Sequence, residues 1–138
     1  IVDLKNSDTI NIFDLAGTLD RKYADILQNS DFIIIPFEYS DVSAESTLVF
    51  INVLGEILST ATRIFIRSRH EQSYKYPNRD LLDSELERFG LIAEIPIYRR
   101  SSLQKITTRK LTANQKEAVK QTFDEIILHI NETAEITI

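Results

Sequence analysis

The chain has no cysteine and no methionine, and only three glycines and three prolines among its 138 residues. The absence of cysteine excludes a disulfide framework and makes a reducing, cytoplasmic setting the compatible one. So few glycines and prolines leave no room for a flexible linker or a low-complexity tract. No apolar run approaches the ~18 residues that a spanning helix needs, so no membrane partner is expected. No charged-then-apolar leader opens the chain. Internal repeats are missing too. With Ile1 in place of Met at the start, the chain reads as an excised product. The only histidines, His70 and His129, lie far apart and form no recognisable metal set, so both read as surface residues. No serine sits in a nucleophile-elbow pattern, and no aromatic-rich basic stripe of the RNA-binding type is visible. Tyr74 and Tyr76 flank a lysine, which by itself carries no argument.

What is present is ordinary for a globular domain: 43% hydrophobic and 27% charged residues. The length suits a single domain spanning residues 1–138, large enough to bury one core. The net charge of −5 conceals a block pattern. Residues 1–62 are strongly acidic, residues 63–110 carry a basic excess, and the remainder is acidic again. Overall acidity argues against indiscriminate nucleic-acid binding, while the basic middle block allows a local patch.

Apolar runs and helical stripes alternate along the chain. Ile10–Phe13 reads as a buried strand ending on Asp14, with Gly17 in the turn beyond it. Leu19, Tyr23, Ile26 and Leu27 form one helical stripe, stopped at Asn29. Phe32–Ile35 is unbroken and apolar, the pattern of a strand covered on both faces, and stops at Pro36. A long helix over 41–60 follows, entered through Ser40, Asp41 or Ser43, and apolar round most of its circumference. Arg63–Arg67 is the next strand. Residues 74–78 are a loop, with Asn78 or Asp80 capping a helix whose stripe is Leu82, Leu86 and Phe89. Gly90 suits the left-handed position ending that helix. Leu91–Ile95 is a weaker fourth strand. Thr112 with Gln115 makes a capping box for the last helix, and residues 131–138 are a frayed end or an added edge strand. Strand–helix alternation implies an α/β fold with an open, mostly parallel sheet and helices on both faces. Such sheets bind ligands at their carboxyl edge, where Asp14, Pro36–Ser40, Arg67–His70 and Pro96–Arg100 all fall.

Four segments in order, F-D-L-A-G, S-D-F-I-I-I-P, S-A-E-S-T-L-V-F and E-I-P-I-Y-R-R-S-S-L-Q-K, carry a resemblance to the ParA/MinD-like P-loop ATPases. It covers roughly residues 8–130, and Asp41 to Phe50 looks most like relatives carried by conjugative elements of Bacteroides-like bacteria. The resemblance implies a partial P-loop fold: the carboxyl-terminal half of an ATPase that segregates or transfers a plasmid or other mobile DNA element. By that resemblance Asp14 is the catalytic carboxylate that holds the Mg²⁺ shell. Arg67 and Ser68, with Pro96, Ile97 and Tyr98, flank the nucleotide base, although the family commonly has an Asn where Arg67 and Ser68 stand. Arg99, Arg100, Lys105, Arg109 and Lys110 are the implied contacts to non-specific DNA. ATP and Mg²⁺ are the implied cofactors of an intact homodimer, with a partner protein stimulating hydrolysis. The family's glycine-rich, lysine-bearing phosphate loop has no counterpart in the chain, so neither ATP hydrolysis nor a bound cofactor is expected of it alone.

A second reading, from a different class, is a non-enzymatic α/β signalling or scaffold module. A receiver domain fits by length, and Asp14 at a strand end is a plausible phosphoryl acceptor. Receivers also need a strand-end lysine next to proline, where this chain reads E-I-P. A degenerate ParA-like scaffold that binds no nucleotide is the remaining variant.

Overall fold

Strand β1 is the apolar run Phe32–Phe37, which continues one residue past its proline. In the computed structural model, which describes residues 8–15, 21–107 and 110–138, β1 pairs in parallel with β2, Thr62–Arg67, from Phe32 opposite Thr62 to Phe37 opposite Arg67. β2 pairs in parallel with β3, a two-residue strand at Leu91–Ile92, giving the order β1-β2-β3. Among the described residues the α-helices are α1 (Ala24–Asn29, after a 3-10 turn at Arg21–Tyr23), α2 (Asp41–Glu56), α3 (Arg79–Glu87) and α4 (Ala113–Ala134). The protein is therefore α/β, with a small open parallel sheet and four described helices.

Pro36 is tolerated because of its register. Thr62 N–H donates to Asp31 O and Ser68 N–H to Phe37 O at the two ends of the pair. Odd-numbered β1 residues thus turn their backbone groups toward β2, and Phe32, Ile34 and Pro36 turn theirs toward the open edge. A proline there forfeits no ladder hydrogen bond.

Helices cover both faces of the sheet. On one, Ile33, Ile35 and Phe37 of β1 and Phe65 of β2 pack with Leu27 of α1, Ile51 and Leu54 of α2, and Leu82 and Leu86 of α3. On the other, Ile64 and Ile66 of β2 pack with Ile126 of α4. That second cover reaches Phe32 of β1 but leaves Ile34 42% exposed, so among the described residues β1 is only partly covered on its second face, where its apolar sequence implies full cover. Ser40 is the cap of α2, with Ser43 N–H donating to its Oγ. The Thr112–Gln115 capping box opens α4, and Gln115 Nε2 also donates to Ser102 O, tying the preceding basic turn to the helix.

Several expectations need correction. Ile10–Phe13 forms no strand: residues 10–15 have no regular structure, and Ile12 is 88% exposed. No described strand runs beside it, and a strand forms only against a neighbouring strand. The long helix ends at Glu56 rather than at 60, with Leu58 left-handed at φ 54° in the turn that closes it. Gly90 is not left-handed; its role is close approach, since a Cβ there would lie 2.4 Å from Arg63 O. The fourth strand ends at Ile92. Ala93 N–H still reaches Phe65 O, but the next ladder bond to Arg67 O comes from Ile97 instead of Ile95. Glu94 and Ile95 bulge outward, and both of their N–H groups donate to the Glu125 carboxylate of α4, at 2.6 and 2.9 Å. Residues 131–138 add no strand, and α4 runs to Ala134. Leu19 and Gly17 lie outside the described residues.

Gly90→Ala is expected to lower unfolding free energy by about 1–3 kcal/mol, because the new methyl meets a strand backbone that cannot swing away. Leu58→Gly should raise it by roughly 0.5–1 kcal/mol, relieving a left-handed residue that is 77% exposed and buries little. Urea denaturation of the two variants beside the parent checks both signs.

Candidate functional site

The loops after β1, β2 and β3 converge at the carboxyl edge around one ionic cluster. Arg67, the last residue of β2, donates from Nε to the Tyr39 hydroxyl (2.6 Å), from one terminal nitrogen to Ala93 O (2.9 Å) and from the other to Asp83 Oδ2 (2.9 Å). Tyr39 donates its hydroxyl proton to the Asp83 carboxylate, with Oδ1 at 2.8 Å, and Arg79 Nε lies 3.7 Å from the same carboxylate. Asn78 stands at the start of α3 but caps nothing there; its Nδ2 donates to Tyr39 O. The cluster links the loop after β1, the end of β2, the exit from β3 and helix α3. Arg67 and Asp83 side chains are 13% and 15% exposed, so their mutual attraction is poorly screened. Burial raises the Tyr39 hydroxyl to about 12, helped by the Asp83 hydrogen bond and opposed by Arg67.

Rings are layered on this cluster. Tyr76 lies 4.8 Å from Tyr39 and stacks on His70 at 5.3 Å; Tyr74 meets Tyr76 edge-on at 4.8 Å, and Tyr98 lies 5.9 Å from His70. Tyr76 also accepts a hydrogen bond from Glu71 N–H, which closes the 71–76 loop. Burial lowers the His70 pKa, the Arg79 and Arg67 charges push in the same direction, and Asp83 opposes them. A cavity of about 650 Å³ opens beside the rings, between the loops after β1 and β2. A second of about 720 Å³ adjoins it, sharing His70, Glu71 and Arg99. Arg69, at φ 51°, makes the turn that brings His70 N–H onto Ile97 O. A non-glycine residue in that region stores strain held by its surroundings, a feature concentrated at functional sites.

The sequence candidates divide. Arg67 and Ser68 reach the cavity of about 650 Å³, yet Arg67 is committed to Asp83, Tyr39 and Ala93. Ile97 and Tyr98 meet the loop after β2 directly: Ile97 N–H donates to Arg67 O, His70 N–H to Ile97 O and Arg99 N–H to His70 O. Those two loops are closed on each other along their backbones, and Pro96 and Ile97 line neither cavity. Asp14 is exposed and stands apart from both. Among the described residues, no group of three or more His, Asp or Glu side chains could hold a metal ion. Arg99 pairs with Glu71 at 2.7 Å; Arg100, Lys105 and Lys110 are exposed, and Arg109 lies outside the described residues. His70 is not the surface residue its isolation suggests. The sequence places Tyr39 and His70 in segments at the carboxyl edge but does not show that they join Tyr76 and Asp83, because the four come from separate elements. No protein-family model, no curated protein and no solved structure matches the chain. No helix among the described residues is long and apolar enough to cross a membrane.

Asp83→Ala should cost about 2–4 kcal/mol of stability, because it strands a mostly buried guanidinium. Tyr39 supplies a pH signature. Its folded pKa lies above the unfolded value of 10.0, so its contribution is complete below pH 10 and disappears as pH rises through about 12. The stability gap between the parent and Tyr39→Phe, from urea denaturation, should therefore narrow between pH 10 and 12. A constant gap would remove the buried hydroxyl from the argument.

Proposed function

We propose that this chain is the carboxyl-terminal portion of a ParA/MinD-like ATPase serving the segregation or transfer of a mobile DNA element. The observation that carries the reading is the open parallel sheet whose β1 edge has no strand beside it among the described residues. Earlier in the sequence runs the apolar segment Ile10–Phe13, which forms no strand, leaves Ile12 exposed and ends on Asp14. An apolar edge strand and an exposed apolar run together suit a sheet that is continued by further chain. The reading requires a phosphate loop supplied elsewhere in the protein. In that assembly Asp14 would be the carboxylate holding the Mg²⁺ shell, ATP would bridge a homodimer, and Arg99, Arg100, Lys105, Arg109 and Lys110 would meet DNA phosphates.

A nucleotide-free scaffold is favoured by a different observation. The Arg67 guanidinium is fully engaged, and the loops that the resemblance assigns to the base are hydrogen-bonded to each other.

Calorimetric titration of Mg-ATP into the chain should give no binding tighter than roughly millimolar, since no backbone cradle for the phosphates is present in its sequence. A micromolar dissociation constant overturns this. In the protein that carries the phosphate loop, Asp14→Ala should abolish turnover without loss of stability, because the side chain is exposed. Unchanged turnover there would favour the scaffold.

A further inference from the structure

The carboxyl edge brings together two basic segments that the sequence separates. Residues 67–79 and 96–105 carry seven Lys or Arg and a single acid, Glu71. The backbone bonds between His70, Ile97 and Arg99 draw the two segments into one surface. Tyr74, Tyr76 and Tyr98 are interleaved with these charges, and Tyr74 is 57% exposed. Lys75, between two of the tyrosines, and Arg100 and Lys105 make no ion pair among the described residues.

We propose that this surface binds single-stranded nucleic acid, with unpaired bases stacking on Tyr74 and its neighbouring rings and phosphates held by Lys75, Arg100 and Lys105. Aromatic rings inside a basic groove stack on any base, whereas a duplex keeps its bases stacked inward, out of reach of a loop tyrosine. The adjoining cavities, about 650 and 720 Å³, leave room for splayed bases beside the rings. Three carboxylates share the walls. Glu38 is neutralised by Arg69 and Glu71 by Arg99 in exposed pairs, and Asp41 lies in the first turn of α2. Exposed pairs of this kind are weak, so Arg69 and Arg99 can exchange a carboxylate for a phosphate. The proposal goes beyond duplex binding by an ATP-loaded dimer, because its rings matter only where bases are unpaired. It needs neither ATP nor the phosphate loop, so it can fail while the ATPase reading stands, and the reverse.

The test is fluorescence anisotropy of the chain with a labelled oligothymidylate of about ten nucleotides, beside a duplex of the same length and thymidine monophosphate. The oligonucleotide should bind, and bind more weakly as salt rises. The duplex and the mononucleotide should bind at least ten-fold more weakly. Tyr74→Ala should weaken oligonucleotide binding roughly ten-fold, leave the salt slope unchanged, and be rescued by Tyr74→Phe. Lys75→Glu with Arg100→Glu should flatten the salt slope by about 0.7 for each phosphate that is no longer neutralised. Far-ultraviolet circular dichroism confirms that each variant is folded. Three results overturn the proposal: equal binding of duplex and single strand, Tyr74→Ala binding like the parent, or the mononucleotide binding as tightly as the oligonucleotide, which would mark a nucleotide pocket instead.

Discussion

The Arg67–Asp83 ion pair, with the Tyr39 hydroxyl between its partners, is the interaction on which the carboxyl edge depends. Three parallel strands end there, and nothing in a ladder of backbone bonds determines where their exit loops go. A guanidinium has several donors in a rigid fork. Here that fork reaches an oxygen from the loop after β1, one from α3 and one from the exit of β3. One side chain therefore sets the relative positions of two loops and a helix. Lysine, a single charge on a flexible stem, could hold any one of them but not all three. Burial adds cooperativity, because each polar atom left unpaired in that cluster carries a desolvation penalty.

A second device depends on the first. The exit of β3 is held by the Arg67 side chain at Ala93 and by the Arg67 carbonyl at Ile97. Of the three residues between them Pro96 has no N–H, and Glu94 and Ile95 would present N–H groups with no ladder partner. Glu125 of α4 takes both, so the helix packed over Ile64 and Ile66 also shapes the loop on the sheet's edge. The cavities and the ring stack lie on this frame: His70 is placed by Ile97, and Tyr76 by His70 and Tyr39. The rings themselves come from three loops, and they supply an apolar floor beneath a rim of charge.

Much of the architecture was legible because it rests on local chemistry. The unbroken apolar run at 32–35, a cap within Ser40–Ser43, the Leu82–Leu86 stripe and the Thr112–Gln115 box each follow from residues within a turn or two of one another. The readings that failed depended on neighbours. Ile10–Phe13 has the composition of a strand, but a strand exists only against another strand. Gly90 follows a helix, as a left-handed terminator does, yet what demands glycine is the Arg63 carbonyl far away in sequence. Leu91–Ile95 is apolar enough for a longer strand, and a carboxylate on α4 diverts it.

By itself, then, the sequence determined the periodicity of most segments, the capping of α2 and α4, the parallel α/β class and the basic character of the middle block. These are properties of side chains acting on their own stretch of backbone. Only the tertiary structure decided that Arg67 is a structural clasp, that His70 sits within a ring stack, and that Tyr74 and Tyr98 are joined through Tyr76 and His70. Such groupings join residues from separate elements, and their pairing is set by strand register and loop closure. No pattern along the chain encodes that pairing.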